Sequence, residues 1–147
     1  MDSTTVRLAP AEGAALAEVE ALLEANDLPV ADLRSGAGRF FRAVADGELV
    51  GVGGFESYGT VGLLRSVVVP AAHRGAGYGT AICDVLEARA RDAGLAELYL
   101  LTTTAAAFFA ARGYDRVDRE AAPAPIRESS EFTDLCPSSA TCMRKSV

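Results

Sequence analysis

Tryptophan is absent from these 147 residues, and histidine and lysine occur once each, as His73 and Lys145. A single lysine near the C-terminus argues against Schiff-base or lysine-general-base chemistry. Cysteine is scarce as well. Cys83, Cys136 and Cys142 are too few and too unevenly spaced for a disulfide framework. With one histidine beside them they also make a poor zinc site, so no metal is expected. Long apolar runs are missing: none approaches the ~20 residues of a bilayer span. The stretch Met1 to Pro10 has acid and hydroxyl side chains without the basic-then-apolar order of a secretory leader. The expectation is a cytoplasmic domain with no membrane partner. Positive charge is in deficit, 14 basic against 20 acidic side chains for a net charge of −6, which argues against non-specific binding to nucleic acid.

What is present points to one packed domain spanning residues 1–147. Half of the residues are hydrophobic and 23% are charged, too apolar for a disordered tail. Thirteen of the fourteen basic residues are arginine, which offers an anionic ligand a fixed, forked charge. Period-two and period-3.6 stretches alternate, the pattern of an α+β chain with a mixed sheet. Thr5 to Ala9 reads as a strand, followed by a helix from Pro10 to near Asn26 with Leu16, Val19, Leu22 and Leu23 on one face. A short helix is expected over Leu28 to Leu33. Phe40 to Ala45 and Leu49 to Phe55 form a hairpin about Asp46-Gly47-Glu48, and Tyr58-Gly59-Thr60 turns into a third strand, Val61 to Val69. Then come a helix over Thr80 to Ala93, a buried strand over Ala96 to Leu101, and a helix over Ala105 to Arg112. A strand at Tyr114 to Val117, a helix at Ile126 to Phe132 and a last strand at Ala140 to Arg144 complete the chain.

The most informative segment runs from Val67 to Thr80. A β-branched strand stops at Pro70, and Gly75, Gly77 and Gly79 follow at alternate positions before a helix begins. Glycines there admit close backbone approach and positive φ. The unpaired N–H groups of a helix's first turn add about half a unit of positive charge. Together they suit phosphate oxygens, with Arg74 as a charged contact. No Gly-Lys-Ser/Thr ends the loop, so it is not a Walker A sequence. The two-residue glycine intervals do not match the dinucleotide-binding Rossmann fingerprint either.

This segment resembles the signature of the GNAT superfamily of acyl-CoA-dependent N-acetyltransferases. Its Arg/Gln-x-x-Gly-x-Gly/Ala motif is matched by Arg74, Gly77 and Gly79. The run Leu98 to Thr104, then Ala105 to Tyr114 with its Phe108-Phe109-x-x-x-Gly113-Tyr114, is similar to the family's later strand and helix. Leu64-Arg65-Ser66, the Leu-Leu-Thr-Thr-Thr run and the ending from Phe132 through Cys136 to Met143 resemble the arsenic-resistance-associated branch, akin to glutamate N-acetyltransferase domains. The resemblance implies six to seven mostly antiparallel strands with flanking helices. It implies acetyl-CoA as cosubstrate and a small amino-acid-like amine as acceptor. Pairing of two copies through an exposed edge is a further implication.

The same resemblance distributes roles among residues. Val67 and Val69 would offer backbone N–H groups to the reacting carbonyl. Arg74, Gly75, Gly77, Tyr78, Gly79 and Thr80 would hold the diphosphate, and Thr102 would bond the cofactor's amides or cap the next helix. The phenol that many members use to protonate the departing thiolate is replaced by Phe109. Water, the thiol's own acidity or Tyr58 would have to serve instead. Glu56, closing an apolar strand, is the candidate base, unless it is a solvated strand end. Arg65 lies in an apolar stretch and is either an outward-facing alternate or a fork for an acceptor's carboxylate, with Ser66 bonding the same acceptor. His73 reads as an exposed loop residue, and Cys136 and Cys142 as inert core residues. Two rival functions remain: an acyl-CoA-binding sensor without catalysis, and an acetyltransferase of proteins or peptides.

Overall fold

The computed structural model describes residues 6–11, 13–26, 38–70, 73, 75, 77–103, 105–129 and 140–147. Seven strands form one sheet: β1 Arg7–Pro10, β2 Gly38–Ala45, β3 Glu48–Tyr58, β4 Val61–Val68, β5 Glu97–Thr102, β6 Asp115–Arg116 and β7 Thr141–Ser146. Their order is β1-β2-β3-β4-β5-β7-β6, and β4 with β5 is the parallel pair. The other neighbours run antiparallel. Among the described residues four α-helices accompany the sheet: α1 Ala14–Ala25, α2 Tyr78–Asp92, α3 Ala106–Ala111 and α4 Ala124–Arg127.

Local chemistry accounts for most of this order. Asp46 and Gly47 take positive φ (52° and 79°), the two-residue turn whose twist matches a β2–β3 hairpin. Ile82 and Leu86 of α2 are fully buried against one sheet face, in a cluster with Phe41, Phe55, Leu64, Leu98, Phe109 and Met143. On the other face, Val19 and Leu23 of α1 pack with Phe40, Val52 and Val68. Further along that face, Ile126 of α4 packs with Leu63, Tyr99 and Cys142. The last helix departs from expectation: α4 begins at Ala124, before Ile126, because Pro123 and Pro125 are tolerated at a helix entry. The expected helix at Leu28 to Leu33 and the residues from 130 to 139 lie outside the described residues.

Close seating of α2 depends on glycines in β3. A Cβ at Gly51 would stand 2.4 Å from Ile82 Cδ1 and 2.7 Å from the carbonyl oxygen of Val68. The isoleucine tip can move, but the backbone oxygen cannot. Gly51→Ala is therefore expected to cost about 1–3 kcal/mol, as overpacking does, read by denaturant unfolding. An unchanged midpoint would mean that α2 rides higher on the sheet than described.

Candidate active site

The strand–helix–strand unit β4–α2–β5 creates the opening on which the site is built. β4 and β5 are in register only at Val61↔Glu97, Gly62↔Leu98 and Leu63↔Tyr99. Beyond those rungs both strands continue, to Val68 and Thr102, without pairing to each other. Their C-terminal ends diverge, and the carboxyl ends of parallel strands are where α/β sheets place ligands.

At the same end β4 carries a bulge. Val52 pairs with Val68 while Gly54 pairs with Arg65, so Ser66 and Val67 stand opposite the single residue Gly53, one residue of extra length on β4. Ser66 takes φ 62°, left-handed backbone for a residue with a side chain. Such a conformation costs on the order of 1–3 kcal/mol and collects at functional sites. A bulge withdraws backbone groups from the ladder, and here it does so beside the β4–β5 opening.

A groove of about 230 Å³ lies on the α2 side of this end. Val69, Gly75, Gly77, Tyr78, Gly79 and Thr80 line it, all named from the sequence, together with His73 and Phe108. Gly77 caps α2 at φ 86° and, having no side chain, makes no side-chain cap bond to the helix's first-turn amides. Those donors have no intrahelical partner. A Cβ at Gly79 would meet Phe108 at 3.6 Å and Val69 at 3.9 Å, so a larger side chain would fill the groove. Bare amides, a helix N-terminus and room for backbone contact fit the diphosphate of an acyl-CoA. Arg74 lies outside the described residues.

His73 corrects the sequence expectation. It is half-buried, its Nε2 is 3.7 Å from Glu48 Oε2, and its ring meets that of Tyr78 edge-on at 5.9 Å. Phe108 went unassigned in the sequence. Its signal is its place in the Phe108-Phe109-x-x-x-Gly113-Tyr114 run, and it makes an edge-to-face pair with Phe109 at 5.0 Å. Thr102 makes the helix-entry bond: its Oγ1 accepts the N–H of Ala105 at 2.9 Å.

On the opposite face, Glu56, Tyr58, Arg65 and Ser66 come together. Phe55 points into the α2-side core, so Glu56 points away from it. Glu56 and Arg65 are each 3% exposed. Arg65 Nη1 donates to Glu56 Oε2 at 2.8 Å, Tyr58 donates its hydroxyl to Glu56 Oε1, and Arg65 Nε donates to Ser66 Oγ at 3.2 Å. The Arg65 guanidinium also lies over the Phe40 ring, 5.5 Å from its centroid. Glu56 is thus no solvated strand end, and Arg65 is no outward alternate. Arg65 stands two residues past the last β4–β5 rung, at the mouth of the opening.

Phe109 is buried and stacks edge-on with Tyr114 at 5.4 Å. Tyr114 turns its hydroxyl to Glu87 Oε2 at 3.1 Å, and burial, reinforced by Glu87, raises its pKa. It supplies no substitute acid. Burial also pushes the thiol of Cys83 up to about 12 and that of Cys142 to about 11, so both are protonated at neutral pH. No group of three or more metal-ligating side chains occurs among the described residues. Cys136 lies outside them. No helix among the described residues is long and apolar enough to cross a membrane.

Comparison with known proteins agrees with this geometry. No curated protein sequence matches the chain. Among solved structures, N-acetylglutamate synthase from Neisseria gonorrhoeae superposes with a TM-score of 0.79 at 18% identity over 98% of this chain. This chain spans about a third (34%) of that enzyme's length. Rv2747 from Mycobacterium tuberculosis gives 0.77 at 23% identity, covering 97% of this chain and 99% of that one. Tetrahymena GCN5 gives 0.77 at 12%, covering 96% of each. At these identities the likeness is one of fold. The acetyltransferase (GNAT) family model matches residues 10–114, which include the diverging strands, the glycine loop and α3. With that match over most of its length, the chain belongs to the GNAT family of acetyltransferases.

Proposed function

We propose that residues 1–147 form a single acetyl-CoA-dependent N-acetyltransferase domain acting on the amino group of a small, amino-acid-like molecule. The observation that carries this reading is the opening between β4 and β5, with an anion-suited groove at one face and a buried carboxylate at the other. Two solved neighbours support the acceptor class. The Neisseria synthase was crystallised with coenzyme A and L-arginine, and also with coenzyme A and N-acetyl-glutamate. Rv2747 was crystallised with CoA and NLQ. Within the family, Leu64-Arg65-Ser66 and the Leu100 to Thr104 run support the arsenic-resistance-associated branch.

Bound acetyl-CoA supplies a thioester carbonyl open to attack by a neutral amine. The α2 amides and the glycine loop anchor its diphosphate, and Phe108 and Tyr78 wall the groove. Backbone N–H groups at the Ser66–Val67 bulge would serve as donors to the oxyanion, a role that the register shift beside the opening supports. Glu56 accepts the proton of the incoming ammonium, directly or through water. Holding both reactants at one opening replaces a covalent enzyme intermediate.

Release of coenzyme A thiol with a panel of free amino acids tests the reading, and turnover on at least one is expected. Glu56→Gln is expected to lower kcat about 100- to 10,000-fold, the usual range for a lost acid–base group, with the KM for acetyl-CoA unchanged. Turnover confined to a basic peptide would move the acceptor to proteins. Coenzyme A binding without turnover on any amine would leave a sensor, the reading that buried Phe109 and the engaged Tyr114 hydroxyl favour.

A further inference from the structure

We infer that Arg65 is a positioning residue for Glu56, and that the acceptor's carboxylate is bound elsewhere. This deepens the proposed function and rests on it. A guanidinium that forks onto a substrate carboxylate needs an open face in the cleft. Arg65 instead has a side chain with no exposed surface. Its Nη1 donates to Glu56 Oε2 at 2.8 Å, its Nε to Ser66 Oγ at 3.2 Å, and its Cζ lies over the Phe40 ring.

The arrangement is a bracket between strands. Glu56 belongs to β3, opposite Leu63 at the last rung that β4 shares with β5. Ser66 belongs to the bulge on β4. One planar guanidinium spans both, so the carboxylate of one strand is fixed relative to the backbone donors of the next. Tyr58 completes the hold by donating to the other carboxylate oxygen. Planar, multiply bonded groups of this kind lock orientation where a lysine, as a point charge, would not. The pair is also self-neutralising: a substrate carboxylate approaching Arg65 would meet Glu56 beside it.

A charge buried with its partner is costly to strip singly, so the test uses three variants on the amino acid with the best wild-type turnover. Arg65→Met is expected to lower kcat roughly 10- to 100-fold, the scale of a misplaced reacting group, with the acceptor's KM within about twofold. Arg65→Lys should recover part of kcat. The double variant Glu56→Gln/Arg65→Met removes both charges together. It should lose no more activity than Glu56→Gln alone, because Arg65 acts only through the carboxylate. A rise in acceptor KM with kcat kept would overturn the inference while leaving the acetyltransferase reading intact. So would losses that multiply in the double variant. If Arg65→Met does not fold and Arg65→Lys has wild-type kcat and KM, Arg65 is structural only and the inference is again overturned. Failure of wild-type turnover on every amine overturns the functional reading, and this inference with it.

Discussion

Gly77→Glu is expected to raise the Kd for coenzyme A at least about 100-fold while leaving the chain folded. Two or more charge-assisted bonds to phosphate would be lost, each worth about 1.5–3 kcal/mol. A hundredfold corresponds to about 2.8 kcal/mol, so losing two such bonds suffices. The new carboxylate would sit at the N-terminus of α2, repelling the diphosphate and taking the donors meant for it. Folding should survive. A side chain at φ 86° costs about 1–2 kcal/mol, and an anion at a helix N-terminus returns about 0.3–1 kcal/mol. Calorimetric titration with coenzyme A, with Gly77→Ala as the control for backbone strain alone, separates the two effects. Unchanged affinity in Gly77→Glu would place the diphosphate away from this loop.

The second large effect is on stability. Glu87 of α2 is 4% exposed and receives Lys145 Nζ at 2.8 Å, Arg112 Nη2 at 3.0 Å and the Tyr114 hydroxyl at 3.1 Å. One carboxylate thereby ties α2 to the residue after α3, to the entry of β6 and to β7. Arg112 continues the tie to Asp84 at 2.8 Å and to the carbonyl of Thr80 at 3.3 Å, in the first turn of α2. Removing a buried charge that neutralises others costs about 3–5 kcal/mol. For a domain of this size each kcal/mol shifts Tm by about 2–4 °C. Glu87→Ala should therefore melt roughly 6–20 °C lower by scanning calorimetry. A shift of less than about 2 °C, below one kcal/mol, would show that the ion pairs only decorate a fold held by its apolar core.

Much of the architecture was legible because local rules and global fold agree. Asp46-Gly47 specified its hairpin, the apolar spacing of Val19 with Leu23 and of Ile82 with Leu86 specified buried helix faces, and Gly75 and Gly77 marked the turn that lines the groove. Most of the groove was legible for the same reason, since all of its lining but Phe108 comes from the segment Val69 to Thr80, whose chemistry lies mostly in its backbone. Three features were not. The bulge at Ser66 needs a register between β3 and β4, and serine carries no local signal for left-handed backbone. The early divergence of β4 from β5 is set by which rungs form, across a stretch of thirty-odd residues. The Glu56–Arg65 pairing joins adjacent strands, and two charged residues on two apolar strands could each have faced solvent or ligand. Among the described residues, Phe40 covers that face, lying under Arg65 and packing with the α1 cluster, which no local pattern announces.

The pinning of Lys145 reaches beyond stability. Activated acyl groups modify lysines indiscriminately, and on the proposed function a thioester would bring that side reaction with it. Here the sequence contains one ε-amine, and it is engaged by a buried carboxylate at 2.8 Å. Succinimidyl esters and other amine-directed labels would find no other lysine to attack. Its side chain is partly exposed, so a reagent has only to displace it from Glu87, and labelling at lysine would report on that ion pair.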